Sequence, residues 1–192
     1  VTDANRATAT ATLSLTVNSA VTATQAVASK ILTANQAATA FTPVTGGGGT
    51  GALSYSILPS LPAGLSINGT SGAISGTPSA SAATATYTVT VSDSNNATAT
   101  NTFSMTVNGA VSATQSIPAR SLTVNVAATS FTPVTGGGGT SPLTYGVYPT
   151  MPAGLSFNTS NSGGAGPPAS GTAAPSSSGT ITDHHRRTPT NQ

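Results

Sequence analysis

The sequence predicts an all-β protein built from tandem β-sandwich repeats of about 90 residues each. Three observations lead to this prediction. Only 4% of the 192 residues are charged, and Thr, Ser, Ala and Gly dominate the composition. Thr and Val favour strands, whereas the residues that favour long helices are scarce. The chain also repeats itself at a fixed interval, and short segments of alternating polar and apolar residues lie between turn-forming residues.

The repeat has a period of 90 residues. The run TPVTGGGGT at 42–50 recurs unchanged at 132–140, and PAGLS at 62–66 recurs at 152–156. A shared fold for each copy is the economical explanation of such a period. The chain has three acidic residues, which follow the same period: Asp3, Asp93 and Asp183.

The period divides the chain into four segments. In the last segment, Ser177 and Gly179 stand where counterparts of Tyr87 and Val89 are expected, and Ser and Gly dominate. We therefore expect the C-terminal strands of a preceding repeat at 1–18, a complete repeat at 19–108, a partial repeat at 109–157 and a degenerate, disordered tail at 158–192.

Two interpretations of this division stay open. The chain is a fragment of a longer protein, or residues 1–17 of the same or a neighbouring chain fill the gap in the last repeat. The second hypothesis rests on the unpaired strand edges of an incomplete sandwich, which invite pairing with another strand.

Short alternating strands fill the complete repeat. Tyr87, Val89 and Val91 alternate with threonines, as in a half-buried antiparallel strand. Residues 94–96, Ser-Asn-Asn, predict a hairpin turn between the two longest strands. About seven strands in such a length predict an Ig-like Greek-key sandwich. The predicted strands lie at 31–33, 40–44, 52–57, 65–67, 73–75, 86–91 and 102–107.

A series of motifs then gives the repeat a family resemblance. LSYSI at 53–57, LPAGLSIN at 61–68, GAISGTP at 72–78, YTVTVSD at 87–93 and FSMTVN at 103–108 follow the glycine run in order. This series resembles the bacterial "Putative Ig domain" family, which is close to the dystroglycan-type cadherin-like repeats. The resemblance implies tandem Ig-like or cadherin-like modules of large surface or secreted proteins, with an extracellular location, roles in cell adhesion and no catalytic residues of their own.

The resemblance also raises calcium as a possible cofactor. Calcium takes six to eight oxygen ligands, commonly from several carboxylates, and this chain offers about one Asp per repeat. Asp93 and Asn95 are the weak candidates for a metal site. The preferred alternative is that Asp93 ends a strand and caps the following turn. No other cofactor is expected.

Two further features invite a functional interpretation. The glycine run at 46–49 lacks the Lys-Ser or Lys-Thr of a phosphate loop, so a turning loop is preferred. Tyr55 and Tyr145 lie on the apolar side of a predicted strand, which favours core packing. Tyr148, whose counterpart is Leu58, is the weak candidate for contact with a ligand such as a sugar.

Composition argues against several classes of function. One Asp per repeat cannot supply the carboxylate pair of a glycosidase, and the two histidines, His184 and His185, lie in the predicted tail. A net charge of +2 predicts no nucleic-acid partner, and no apolar run is long enough to span a membrane.

We therefore expect a non-catalytic spacer or stalk of a bacterial extracellular repeat protein, with neighbouring repeats as its partners. Short linkers at 18–20 and 108–110 predict a semi-rigid array. The alternative is an adhesive or carbohydrate-binding module that contacts a polysaccharide or a cell-surface ligand.

Overall fold

The computed structural model describes residues 1–169 and 178–183. Among these residues the regular structure consists of strands, and no helix is long and apolar enough to cross a membrane. In chain order the strands are β1 (Thr22–Gln25), β2 (Ser29–Thr33), β3 (Ala38–Phe41), β4 (Val44–Gly47), β5 (Ser54–Leu58), β6 (Leu65–Ile67), β7 (Ile74–Gly76), β8 (Ala82–Ser92), β9 (Thr98–Asn108), β10 (Ser112–Gln115), β11 (Ala128–Phe131), β12 (Val134–Gly137), β13 (Leu143–Tyr148), β14 (Ser156–Phe157), β15 (Gly164–Gly166) and β16 (Ser178–Asp183).

The second repeat is a sandwich of two sheets. One sheet has the strand order β2-β9-β8-β5, in which β2 and β9 are parallel and the other pairs are antiparallel. The other sheet has the order β3-β7-β6, and β1 pairs with β4 beside them. This arrangement confirms the predicted all-β sandwich.

The core lies between the two sheets. Phe103 of β9 stacks on Tyr87 of β8, with 5.5 Å between ring centroids, and meets the edge of Phe41 from the opposite sheet at 6.2 Å. Aromatic side chains bury large apolar areas, and their rings prefer offset-stacked or edge-to-face arrangements such as these. The buried apolar side chains are those on one phase of the alternation in β8 and β9, together with residues in or beside β2, β4 and β7: Leu32, Ala34, Val44, Ile74, Tyr87, Val89, Val91, Phe103, Met105 and Val107.

Proline divides one predicted strand into two. The segment 40–44 is expected to form a single strand, but β3 ends at Phe41 and β4 begins at Val44, with Pro43 between them. Pro lacks the N–H that a continuous ladder needs, so the chain changes sheets there. Phe41 pairs with Ile74, whereas Val44 pairs with Gln25 of β1, a strand that the sequence analysis missed.

The third repeat follows the same plan with a shift of 90 residues. The pairs β10–β12 and β13–β16 and the sheet β11-β15-β14 correspond to β1–β4, β5–β8 and β3-β7-β6. Register is preserved as well, because Tyr145 faces Ile181 as Tyr55 faces Val91.

Two of these strands correct an expectation. β15 and β16 lie within 158–192, where the sequence analysis expects a disordered tail. Ser177 and Gly179 lack the apolar character of Tyr87 and Val89, but Ile181 keeps the apolar position of Val91. The segment around Ile181 pairs with β13 and forms the strand β16. Residues 170–177 and 184–192, with His184 and His185, lie outside the described residues.

Residues 119–123, the counterparts of β2, carry no strand. In the second repeat β2 pairs with β9 alone. The described part of the chain contains no counterpart of β9 in the third repeat.

The first segment forms only a turn. Thr2 and Thr8 make an isolated bridge around Asp3. Beyond it, Leu13, Leu15 and Val17 are 88%, 81% and 87% exposed, although their counterparts Phe103, Met105 and Val107 form the core. The expected strands at 1–18 and the strand-exchange hypothesis stay predictions.

Candidate functional site

The glycine segment (residues 46–50) lies at one end of the second repeat. Gly46 and Gly47 belong to β4 and pair with Ala23 and Thr22 of β1. The loop is therefore shorter than the predicted loop at 46–49. The turn is made by Gly48 and Gly49, whose φ angles are 65° and 76°. This left-handed region is open to glycine at little cost, which explains why the turn needs these residues.

A tyrosine holds the strand end of the glycine segment. The hydroxyl oxygen of Tyr55 accepts a hydrogen bond of 3.0 Å from the backbone N–H of Gly46. Tyr145 accepts the corresponding bond of 3.2 Å from Gly136 in the third repeat. The ring of Tyr55 packs against the core, as expected from its place on the apolar side of its strand.

Asp93 holds the other end of the glycine segment. Its Oδ1 accepts hydrogen bonds of 2.9 Å from the N–H groups of Asn95 and Ala97, and its Oδ2 accepts one of 2.8 Å from the N–H of Thr50. The carboxylate therefore closes the hairpin turn and fastens it to the glycine segment. Asn96 completes the turn with a φ of 64°, in agreement with the turn predicted at 94–96.

These bonds determine the charge state of Asp93. The Thr50 N–H, followed by those of Ala97 and Asn95, holds the pKa of the carboxyl below its ordinary value, while desolvation opposes the shift. The described residues contain no group of three or more His, Cys, Asp or Glu side chains placed to hold a metal ion. A calcium role for Asp93 and Asn95 stays a prediction.

Tyr148 lies at the end of β13 and is 76% exposed. Leu58, at the same position of the second repeat, is 75% exposed. The fold thus presents this position to solvent in both repeats, and Tyr148 puts an aromatic ring there. Exposure agrees with the expectation for this residue, and a ligand contact stays a prediction.

Sequence analysis missed a cation–aromatic pair in each repeat. Lys30 Nζ lies 5.1 Å from the ring centroid of Phe41, and the Arg120 guanidinium lies 4.8 Å from that of Phe131. Such contacts contribute about 0.5–1 kcal/mol at exposed sites. The sequence contained a signal for this pair, because Lys30 and Arg120, two of the five basic residues, lie 90 positions apart.

The linker before each repeat is clamped by the glycine turn. The N–H of Gly139 donates a hydrogen bond of 2.7 Å to the carbonyl of Gly109 in the linker. Gly138 has a φ of 63°, and a Cβ there would overlap the carbonyl oxygen of Ala110. The turn and the linker therefore meet backbone to backbone, at a distance that only glycine permits.

The clamp occurs once more, 90 residues earlier. The N–H of Gly49 donates a hydrogen bond of 2.9 Å to the carbonyl of Ser19, and a Cβ on Gly48 would overlap the carbonyl oxygen of Ala20. Recurrence at both linkers makes the clamp a property of the repeat.

Solved structures similar to this chain are ectodomains of the cadherin type. The protocadherin GammaB4 extracellular domain is 16% identical, with a TM-score of 0.37, over 81% of this chain and 30% of that one. Human protocadherin-24 EC1-2 is 15% identical, with a TM-score of 0.40, over 80% and 79% of the two chains. The human desmocollin-1 ectodomain is 14% identical, with a TM-score of 0.41, over 78% and 34%. The chain spans less than half the length of the protocadherin gamma B4 and B7 structures that it matches.

A family match adds to the geometry. None of the curated proteins compared with this sequence matches it. Residues 17–108 match the model of the family described as "Putative Ig domain". The matched segment coincides with the second repeat, whose two facing sheets form the sandwich described above. The repeat at 17–108 is therefore similar to the Putative Ig domain family.

Proposed function

We propose that this chain is a non-catalytic spacer of a bacterial extracellular or cell-surface protein, in which Ig-like repeats are stacked in series. Its sandwich fold is consistent with a structural or adhesive extracellular domain. One observation carries the choice of a spacer, namely the clamp between the glycine turn and the linker. A stalk must transmit orientation from one module to the next, and a linker bonded to the following repeat does so.

The clamp removes the freedom that a linker would otherwise have. A flexible linker lets the modules that it joins adopt many relative orientations. Here the linker is short, Gly139 bonds to Gly109 within it, and Gly138 lies against Ala110. The orientation of the third repeat is therefore tied to the course of the chain as it leaves β9.

The chemistry of the described surface supports a passive role. Asp93 spends both carboxylate oxygens on backbone N–H groups, and Tyr55 uses its hydroxyl to fasten Gly46. These contacts within the fold support a structural role for both side chains.

The proposal is tested by the distribution of distances between the two repeats. The chain has no cysteine, so Ser60→Cys and Thr150→Cys place spin labels at the same exposed position of the second and third repeats. We expect a single narrow distribution from pulsed electron paramagnetic resonance. A broad distribution that spans many orientations would refute a spacer.

A second candidate function is adhesion through Tyr148, since the exposed ring of this residue is the kind of surface on which sugars stack. Binding of a polysaccharide to the full chain, lost in Tyr148→Ala and kept in Leu58→Ala, would favour it. Equal behaviour of both variants would assign any binding to another surface.

A further inference from the structure

We propose that Thr33, Asn108 and Thr140 form a docking site by which one repeat fixes the orientation of the next. The proposal rests on the spacer function and names the surfaces that meet. One half is the end of the four-stranded sheet, where Thr33 of β2 lies beside Asn108 of β9. The other half is Thr140, the last residue of the glycine segment in the following repeat.

The first half is built by the parallel pairing of β2 and β9. Thr33 and Asn108 are register partners at the ends of their strands, and the N–H of Ala34 donates a hydrogen bond of 2.9 Å to the carbonyl of Asn108. Two polar side chains are thereby held side by side at one end of the sandwich, toward the linker that continues from Asn108.

The second half reaches these side chains directly. Asn108 Nδ2 donates a hydrogen bond of 3.1 Å to Oγ1 of Thr140, and Oγ1 of Thr140 lies 3.0 Å from Oγ1 of Thr33. A hydroxyl can accept one hydrogen bond and donate another. Thr140 therefore accepts from Asn108, and either hydroxyl can be the donor in its bond with Thr33, so one arrangement joins the three side chains.

Burial shows that the site is a contact between repeats. Thr33 is 4% exposed and Thr140 is 9% exposed. Thr50, the copy of Thr140 in the second repeat, is only half-buried: Asn18 of the first segment contacts it, and the described residues before it form no sandwich. The contact between Thr33 and Thr140 thus arises only where a folded repeat precedes the glycine segment.

The asparagine contact recurs with the period of the repeat. Asn18 Nδ2 donates a hydrogen bond of 2.9 Å to Oγ1 of Thr50, as Asn108 does to Thr140. At each of the two linkers, an asparagine therefore precedes the linker and bonds to the threonine at the end of the next glycine segment. The fitting partner of either half is another repeat of the same kind, joined in series.

The site consists of neutral side chains, so its strength should depend on geometry rather than on salt or on metal ions. Buried hydrogen bonds are costly to break on one side only, because the remaining partner stays desolvated. Loss of the Thr140 hydroxyl alone should loosen the whole joint.

The test uses the labels at positions 60 and 150 in the full chain. Thr140→Val, which keeps the shape but loses the hydroxyl, and Asn108→Ala, which alters only the preceding repeat, should both turn the narrow distance distribution into a broad one. Thr140→Ser, which keeps the hydroxyl, should stay narrow.

Two matched controls lie 90 residues earlier. Thr50→Val and Asn18→Ala remove the same bond at the first linker and should leave the distribution narrow, since the labels span the second linker. A narrow distribution in both Thr140→Val and Asn108→Ala would overturn the docking site while leaving the spacer intact. A broad distribution in the unsubstituted chain would instead contradict the spacer itself.

Discussion

Asp93 shows how a single carboxylate organises one end of the repeat. It closes its own turn through Asn95 and Ala97 and fastens the glycine segment through Thr50. Asp3 makes the same turn, with bonds of 2.9 Å from Asn5 and 2.7 Å from Ala7. Asp93 also accepts the bond from Thr50 of the glycine segment, whereas the bonds of Asp3 are those of the turn. Comparing the two residues therefore distinguishes the effect of the turn from that of the bond to the glycine segment, which we call the anchor.

Asp93→Asn should therefore lower the melting temperature, whereas Asp3→Asn should leave it nearly unchanged. Asparagine keeps one acceptor for the turn but presents an NH₂ group to the N–H of Thr50, so two donors face each other. Differential scanning calorimetry of the full chain measures both variants. A loss of the same size in each would show that the turn, rather than the anchor, carries the effect.

The lowered pKa of Asp93 predicts a pH dependence of stability. Because the folded state lowers this pKa, its contribution is fully present above the unfolded value of about 3.9 and is lost as pH falls through the folded value. Urea unfolding between neutral pH and about pH 3 should thus show a decrease at the acid end. The decrease should be smaller in Asp93→Asn, and an equal decrease in both proteins would argue against this origin.

Gly48 carries the clamp at the first linker. Gly48→Ala forces a side chain into the left-handed region, at about 1–2 kcal/mol, and against the carbonyl of Ala20. We expect a loss of at least this size in the free energy of unfolding by urea. Gly109→Ala is the control, since no atom lies within 4 Å of the added Cβ, and its effect should stay within about 0.5 kcal/mol.

At the scale of the element, the strand at 98–108 and the segment at 8–18 share a sequence pattern but not an environment. Met105 of β9 is buried in the core, whereas its copy Leu15 is exposed. A strand buries its apolar side only when neighbouring strands and a facing sheet are present, so the same alternation leads to two outcomes.

Met105→Ala should lower the free energy of unfolding by about 2–5 kcal/mol. Leu15→Ala should change it by less than about 0.5 kcal/mol. Urea denaturation followed by circular dichroism measures both variants. A large loss in Leu15→Ala, growing with protein concentration, would indicate instead that the first segment docks on another chain.

The sequence predicts the elements with strong alternation. Tyr87, Val89 and Val91 identify β8, and the Ser-Asn-Asn turn follows it as expected. β1 was missed because its residues, Thr-Ala-Thr-Gln, offer little contrast between polar and apolar positions. It is held by backbone pairing with Gly46 and Gly47, which leaves no signal in its own side chains.

The contacts between repeats are harder to predict than the strands. Thr33 and Thr140 are separated by 107 residues, and neither threonine differs in type from the many others in the chain. The period was the available signal, since Asn18 and Asn108, like Thr50 and Thr140, recur at 90 residues. Which of these recurrent residues meet is decided by the parallel pairing of β2 with β9, which local sequence does not specify.

At the scale of the whole molecule, each repeat places its glycine segment against the linker that precedes it. Where a folded repeat comes before, Thr140 also reaches that repeat's last strand. Stability in such arrays is a sum of repeat and interface contributions. The clamp and the docking site are the interface part, and they give the array a direction, because each repeat presents different surfaces at its two ends.

The most direct test of a passive spacer is a thermal melt of the full chain with chelator, with calcium and with a panel of polysaccharides. A ligand that binds only the folded state stabilises it, by about 2.7 kcal/mol at a concentration one hundred times its Kd. The midpoint temperature of the melt rises as a result. A passive spacer should have the same midpoint under every condition. A rise with calcium would contradict the structural role of Asp93, and a rise with a polysaccharide would replace the spacer with an adhesive module.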